Sequence, residues 1–368
     1  MFDLLRTHHF QQARNEPCIW FKREDGDITI VAIYVDDILI TGNNTKVMNN
    51  ISEIMGNTFK MKDMGKLNTF LGIETIYRSN AIELSQQTYI EQVVKRFGQE
   101  NCKHMSTPME ETYEHDPSEE IDENLPTREA IGCLTYIANG TRPDIAYAVN
   151  RIARHVAKPT RSQWKAIQRV IKYLNTTKTM TLRFTKTPID IIGYADSDFA
   201  GDSSDRKSTT GWLIKLGMNT ISWKSSKQRL VTLSTTEAEY VAACDATREA
   251  IWIQNLLTEL QVTNNKSATL HQDNQSAIFI ENNHSVKQRT KHIDIKYHFI
   301  REQVQNNKLE IQYCPTAEMT ADILTKPLNK TKFTKHRMTL LNMTNEGAHM
   351  KEECQHNHAL TYLCHASP

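Results

Sequence analysis

Four carboxylates in the second half of the chain stand where strands end and helices begin. Asp196 closes an apolar strand from Ile189 to Ala195, and Glu237 lies in the first turn of a long amphipathic helix from Thr236 to Leu260. Asp273 ends a short strand from Ala268 to Gln272, and Asp322 opens the closing helix that begins at Ala321. Acids at such places in one α/β sheet can converge on one edge of it. Converged carboxylates repel unless cations lie between them, and hard divalent ions with oxygen ligands, Mg²⁺ or Mn²⁺, suit that role. Two such ions about 4 Å apart drive phosphodiester cleavage, one activating the attacking water and the other stabilising the leaving oxygen. Each acid alone has a simpler explanation. Glu237 follows Ser234-Thr235-Thr236 and could be half of a capping box. Asp322 could merely favour a helix dipole. The four together, in this order of elements, favour the metal reading.

A second acidic pair, Asp36-Asp37, interrupts an apolar run, IVAIYVDDILITGNN. Ile28 to Val35 is β-branched and nearly continuously apolar, and Ile38-Leu39-Ile40 resumes the run before Gly42-Asn43. A buried strand has that composition. Adjacent carboxylates at such a turn repel, and a metal ion relieves this.

The elements that must position these groups follow from periodicity. Cys18 to Lys22 is a strand pattern, and Glu24 to Asp27 is a turn. Phe70 to Glu74 and Ile82 to Ser85 flank the polar turn Arg78-Ser79-Asn80, and Gln87 to Phe97 has helical spacing. Residues 110–126 are acidic, contain proline and nearly lack large apolar groups, which predicts a linker. From Thr127 to about Thr177 the spacing is helical, with starts at Arg142-Pro143-Asp144 and Pro159 to Ser162, since proline is welcome near a first turn. Beyond it, Gly211 to Leu216 and Asn219 to Trp223 are strands antiparallel to the first, and Leu309 to Cys314 is a further one. The last residues, from about Asn345, are polar and predicted to be disordered. Their histidines and cysteines (His349, Cys354, His356, His358, Cys364 and His365) match no common zinc spacing.

Composition is that of an ordinary globular chain, 39% hydrophobic and 24% charged over 368 residues. That length is enough for two or three domains. The formal net charge of +1 neither supports nor excludes nucleic acid, since a basic surface can cancel an acidic site. Seven scattered cysteines read as reduced thiols, so an intracellular place is expected, in a cytoplasmic particle or the nucleus. The amino terminus has no signal-peptide pattern, and no segment approaches the length of a membrane span.

The segments YADSDFAGDSSDRKSTTGW, ISWKSSKQRLVTLSTTEAEYVA, LHQDNQSAI, KHIDIKYHFIRE and ADILTKPL resemble the ribonuclease H domain of copia-type retrotransposon Pol polyproteins. YVDD in its apolar setting, with FKMKDMGKLNTFLGIE and IELSQQTYIEQVVKRF, resembles the reverse transcriptase of the same family. IGCLTYIANGTRPDIAYAV and PTRSQWKAIQRVIKYLNTT resemble its thumb and connection.

The resemblance implies an α/β fold: a ribonuclease H-like mixed five-stranded sheet with flanking helices over 187–330. A partial reverse-transcriptase palm over 1–109, a linker over 110–126 and a helical thumb or connection over 127–186 would precede it. A partly disordered extension, 331–368, would follow. Asp196, Glu237, Asp273 and Asp322 become the catalytic acids holding two Mg²⁺ or Mn²⁺ ions, with an RNA–DNA hybrid as substrate and other Pol segments as partners. Asp36 and Asp37 become a remnant of the polymerase metal site. The first polymerase aspartate lies upstream in the family, so polymerase activity is not expected. Hybrid contacts are assigned to Asn274, Lys224, Lys227, Arg229, Arg289 and Lys291. The loop Pro315 to Thr320 lacks the histidine that relatives carry for product release, which leaves His292 as the candidate. The alternatives are a catalytically inert nucleic-acid-binding remnant and, less favoured, an integrase-like nuclease.

Overall fold

The computed structural model describes residues 1–59, 61–116, 118–263, 267–282, 291–343 and 360–366. They form two compact units: Met1–Ser79 with Trp252–Asn265 and Glu352–Pro368, and Asn80–Ile251 with Lys266–Lys351.

The first unit opens with α1 (Phe2–Thr7), β1 (Gln11–Gln12), β2 (Ile19–Glu24), β3 (Asp27–Tyr34) and β4 (Asp37–Gly42). It continues with α2 (Thr45–Thr58), β5 (Met61–Lys66), β6 (Thr69–Phe70) and β7 (Ile73–Tyr77). Asn44 caps α2 through its side-chain oxygen, which accepts from the backbone N–H groups of Lys46 and Val47, as a helix start requires. The apolar faces of the hairpin and α2 close a small core of Leu5, Phe10, Trp20, Val31, Ile40, Met48 and Met55.

In the second unit the chain runs through β8 (Ala81–Ser85), α3 (Gln87–Arg96), α4 (Thr127–Gly140), α5 (Ala146–Ala153) and α6 (Arg161–Thr176). Then come β9 (Leu182–Thr185), β10 (Ile191–Asp198), β11 (Thr209–Leu216), β12 (Asn219–Lys227) and α7 (Thr235–Glu259), of which the residues up to Ile251 belong to this unit. β13 (Ala268–Gln272), α8 (Gln275–Asn282), α9 (Lys291–Gln305) and β14 (Leu309–Tyr313) follow, with a 3₁₀ turn at Thr320–Leu324 and α10 (Lys330–Leu341). The main sheet has the order β12-β11-β10-β13-β14, antiparallel in its first three strands and parallel in its last two pairings. This is the mixed five-stranded ribonuclease H-like sheet expected from the sequence. β11 is buried along nearly its whole length, as a strand covered on both faces must be.

Several expectations differ from the structure. Residues 127–186 form no separate body, because α3 to α6 share one core with Leu213 of β11, Ile323, Leu324 and Phe333. The acidic stretch is held down rather than loose: Glu119 accepts from the Ser162 backbone N–H at 2.9 Å, and Glu110 pairs with Arg169 at 2.8 Å. Both partners lie on α6, so the acids that made the segment look like a linker are the groups that fasten it. The closing helix expected at Ala321 is only a 3₁₀ turn, and the helix proper, α10, begins at Lys330 and buries Phe333, Leu340 and Leu341. Finally β15 (Leu360–Ala366), in the segment expected to be disordered, pairs antiparallel with both β4 and β5. It gives the first unit a six-stranded sheet of order β1-β2-β3-β4-β15-β5.

Deep in the second unit, Arg142 and Asp144 form an ion pair at 2.8 Å with neither side chain exposed. Arg142 also donates to the Thr177 carbonyl and hydroxyl, and the Tyr173 hydroxyl donates to Asp144. Such a pair adds little net stability, but breaking it leaves a buried charge. Arg142→Ala should therefore lower unfolding free energy by about 3–5 kcal/mol in urea denaturation. A loss below about 1 kcal/mol would contradict this account of the core.

Candidate metal centre

Asp196 lies on β10 directly opposite Gly211 of β11. A Cβ at Gly211 would come within 2.5 Å of Thr325 Cγ2 and 2.8 Å of Leu324 Cβ. The close approach of the Thr320–Leu324 turn therefore requires glycine there. With that space open, the turn lies on the sheet and carries Asp322, Thr325 and Lys326 to Asp196. The Thr325 hydroxyl donates to Asp196 Oδ2, and the Lys326 ammonium lies 2.9 Å from Asp322 Oδ1 and 3.9 Å from Asp196 Oδ2.

From the other side α7 delivers a glutamate, and it is Glu239. Ligand oxygens of Asp196, Glu239 and Asp273 lie within 4.8 Å of one another. Glu239 is 6% exposed; its Oε1 accepts from the Ser197 N–H at 3.3 Å, while Oε2 is buried without a hydrogen-bond partner. Two buried glutamines pin this turn of the helix. Gln228 donates to the Ala238 carbonyl and Thr210 hydroxyl, and Gln272 donates to the Glu239 carbonyl.

Glu237, expected in the set, does not join it. Its carboxylate accepts from the Leu233 N–H at 2.7 Å while its own N–H donates to Ser234 Oγ. That is the capping arrangement. Positions two apart on a helix face nearly opposite ways, so only one of Glu237 and Glu239 can meet the sheet. The sequence does carry a signal for the choice: Ala242, Ala243, Ala246 and Ala250 follow Glu239 at three, four, seven and eleven residues, all buried. Small residues at that spacing mark the face on which the helix approaches the sheet most closely.

Asp273 is half-buried and accepts from the Thr316 hydroxyl at 2.7 Å. Asp322 is buried beside Asp196, outside the cluster of three. The electrostatics are those of crowded acids. Burial is the main cause pushing the Asp196 carboxyl up to about 6; Lys326 opposes it and Asp322 adds to it. Removing a carboxylate from water favours its neutral form. Glu239 is raised well above the carboxylate range by burial first, then by Asp196 and Asp273. Burial also raises Asp198, farther along β10.

The other expected residues are dispersed. Asn274 caps α8, its side-chain oxygen accepting from the Ala277 N–H at 3.0 Å. Lys227 pairs with Asp202 at 2.7 Å and Asp205 at 2.8 Å, which makes it part of an ion cluster. Lys224 and Arg229 are exposed. Arg289 lies outside the described residues, and the side chains of Lys291 and His292 on α9 are likewise outside them. Asp36 and Asp37 lie at the β3–β4 turn, where Tyr34 faces Asp37 and Val35 has φ of 53°. That conformation is strained for a β-branched residue. Among the described residues no third metal-binding side chain gathers with them.

Residues 1–111 match the family model described as reverse transcriptase (RNA-dependent DNA polymerase). The retrovirus-related Pol polyprotein from transposon TNT 1-94 of Nicotiana tabacum is 36% identical over 344 residues, covering 90% of this chain. The chain belongs to the retrovirus-related Pol polyproteins of transposons. It spans 26% of the length of that tobacco polyprotein. Two solved structures are similar. LC11-RNase H1, isolated from compost, is 18% identical with a TM-score of 0.30, covering 37% of this chain and 93% of that one. A foamy viral protease-reverse transcriptase in complex with an RNA/DNA hybrid is 10% identical with a TM-score of 0.45, covering 85% of this chain and 37% of that one. In this Pol chain, the reverse-transcriptase match includes the β3–β4 hairpin, and the acid cluster lies on the later sheet.

The raised carboxyls give a pH test. Asp196 has a folded-state value of about 6 against an ordinary 3.8. Its ionised form therefore costs the folded state stability, a cost absent below the ordinary value and complete above the folded one. In EDTA, Asp196→Asn should stabilise the protein at pH 8 by at most about 3 kcal/mol, since each pH unit between the two values is worth roughly 1.4 kcal/mol. The gain should vanish towards pH 4 and is read from urea denaturation across that range. No gain at pH 8, or a gain that grows as pH falls, would contradict the electrostatic picture.

Proposed function

We propose that the five-stranded sheet and its helices in the second unit are a copia-type ribonuclease H, cleaving the RNA strand of RNA–DNA hybrids at internal phosphodiesters with Mg²⁺ or Mn²⁺. The observation that carries the reading is Glu239: its Oε2 is buried without a hydrogen-bond partner, and its carboxylate lies within 4.8 Å of ligand oxygens of Asp196 and Asp273. A buried carboxylate oxygen without a donor is costly, and a hard divalent ion is the partner its chemistry suits. The donor set fits such an ion: all oxygen, from acids on β10, on α7 and just after β13.

In the proposed mechanism Asp196, Glu239 and Asp273 would hold the metal, with Asp322 beside Asp196 completing the set. Bound ions would supply an activated water and charge stabilisation at the phosphate. The protein's own part is positioning. Gln228 and Gln272 fix the height of Glu239 on α7, Thr316 orients Asp273, and Thr325 orients Asp196. Lys224 and Arg229, both exposed, are proposed to contact hybrid phosphates. Lys227 is not, being held by two aspartates.

The test is cleavage of a labelled RNA–DNA hybrid. Mn²⁺-dependent cleavage should be abolished by EDTA and reduced at least about a hundredfold by Asp196→Asn or Glu239→Gln, as expected when a ligand acting in the transition state is lost. Glu237→Gln should retain activity within a few-fold. Hybrid binding without hydrolysis by a folded wild-type sample would favour the inert remnant instead. Equal loss in the Glu237 and Glu239 variants would refute the assignment of Glu239.

A further inference from the structure

The cluster already holds one positive charge of its own. Lys326 extends from the end of the 3₁₀ turn so that its ammonium lies 2.9 Å from Asp322 Oδ1 and 3.9 Å from Asp196 Oδ2. Its side chain is 36% exposed, so it reaches the acids from the open side. The three-acid group is Asp196, Glu239 and Asp273, and Lys326 makes no ion pair with Glu239 or Asp273 among the described residues. Asp196 thus belongs to two groupings at once: a lysine-bridged pair with Asp322, and an all-carboxylate set with Glu239 and Asp273.

We propose that Lys326 is the resident cation of the Asp196–Asp322 side of the centre, so that the free protein takes one divalent ion and admits a second only when substrate draws the ammonium away. This rests on the metal-centre reading above and deepens it. A divalent ion bridging Asp196 and Asp322 needs oxygen ligands at about 2.0–2.1 Å for Mg²⁺. With the Lys326 ammonium already 2.9 Å from Asp322 Oδ1 and 3.9 Å from Asp196 Oδ2, a second cation at the same two carboxylates would be repelled by it. Lysine suits such a temporary post: its ammonium is compact, strongly hydrated and carried on a flexible four-carbon stem. An incoming phosphate offers it an alternative anion on the open side, which leaves both carboxylates to the second ion. The positively charged neighbours do not replace it, because Arg151, Arg154 and Lys227 are all paired with Asp202.

Mn²⁺ counting by electron paramagnetic resonance tests this directly on the full chain. Wild type should bind one Mn²⁺ per chain, and a hybrid with a 2′-O-methylated RNA strand should bring a second. Lys326→Gln should bind two without any hybrid, the second at least tenfold tighter than in wild type. Lys326→Arg, which keeps the charge, should bind one, and Lys326→Gln combined with Asp322→Asn should return to one. A single ion of wild-type affinity in Lys326→Gln would overturn the inference, as would a wild-type–hybrid complex that still holds one. Wild type binding no Mn²⁺ at all would instead sink the metal-centre reading on which the inference stands.

Discussion

The second unit is built around one electrostatic problem: three carboxylates are held within 4.8 Å of one another, two of them buried. Such a group repels itself and loses its hydration, and each loss favours the protonated acid. The raised values of Asp196 and Glu239 are the visible result. A fold keeps an arrangement of this kind only if the surrounding packing over-determines it. Here the packing does so from two directions, through the Ala-rich face of α7 and through the Thr320–Leu324 turn that Gly211 admits.

The relation between the parts is one of tolerances. Strand β10 delivers Asp196 at the level where β11 has no side chain, so the turn can come down onto the sheet. The parallel pairing of β10 with β13 sets Asp273 at the neighbouring strand end. Gln228, just beyond β12, and Gln272, at the end of β13, then bind successive backbone carbonyls of α7 at the glutamate. Stability lost to crowding at the acids is offset elsewhere, in the shared core of α3 to α6 and α10.

Much of this is legible in the sequence, and the exceptions are physical. The β3–β4 hairpin, the strands of the main sheet and the span of α7 follow from apolar periodicity, which burial on a sheet or helix face imposes. Asp273 can be placed because it directly follows β13, whereas Asp196, expected to close its strand, lies inside β10, which runs on to Asp198. Glu237 looks a better candidate than Glu239 because it is the first acid of its helix, yet that position serves the backbone N–H groups every helix start leaves open. The acidic segment at 110–126 looks loose because its partners, Ser162 and Arg169, lie 43 and 59 residues away in sequence. Asp322 lies in a 3₁₀ turn instead of a helix, on a turn that packs tightly because Gly211 lets it, a tertiary effect no local pattern records. Lys326 gives no signal, since a lysine four residues after an aspartate is common on any exposed helix.

The central claim is that Asp196, Glu239 and Asp273 hold a divalent ion together. The most direct measurement is anomalous X-ray scattering at the manganese edge from crystals grown with Mn²⁺. The account predicts an anomalous peak among the three carboxylates, within bonding distance of the Glu239 oxygen that has no other partner. A peak coordinated by Glu237, or none at the cluster in crystals saturated with Mn²⁺, would contradict it.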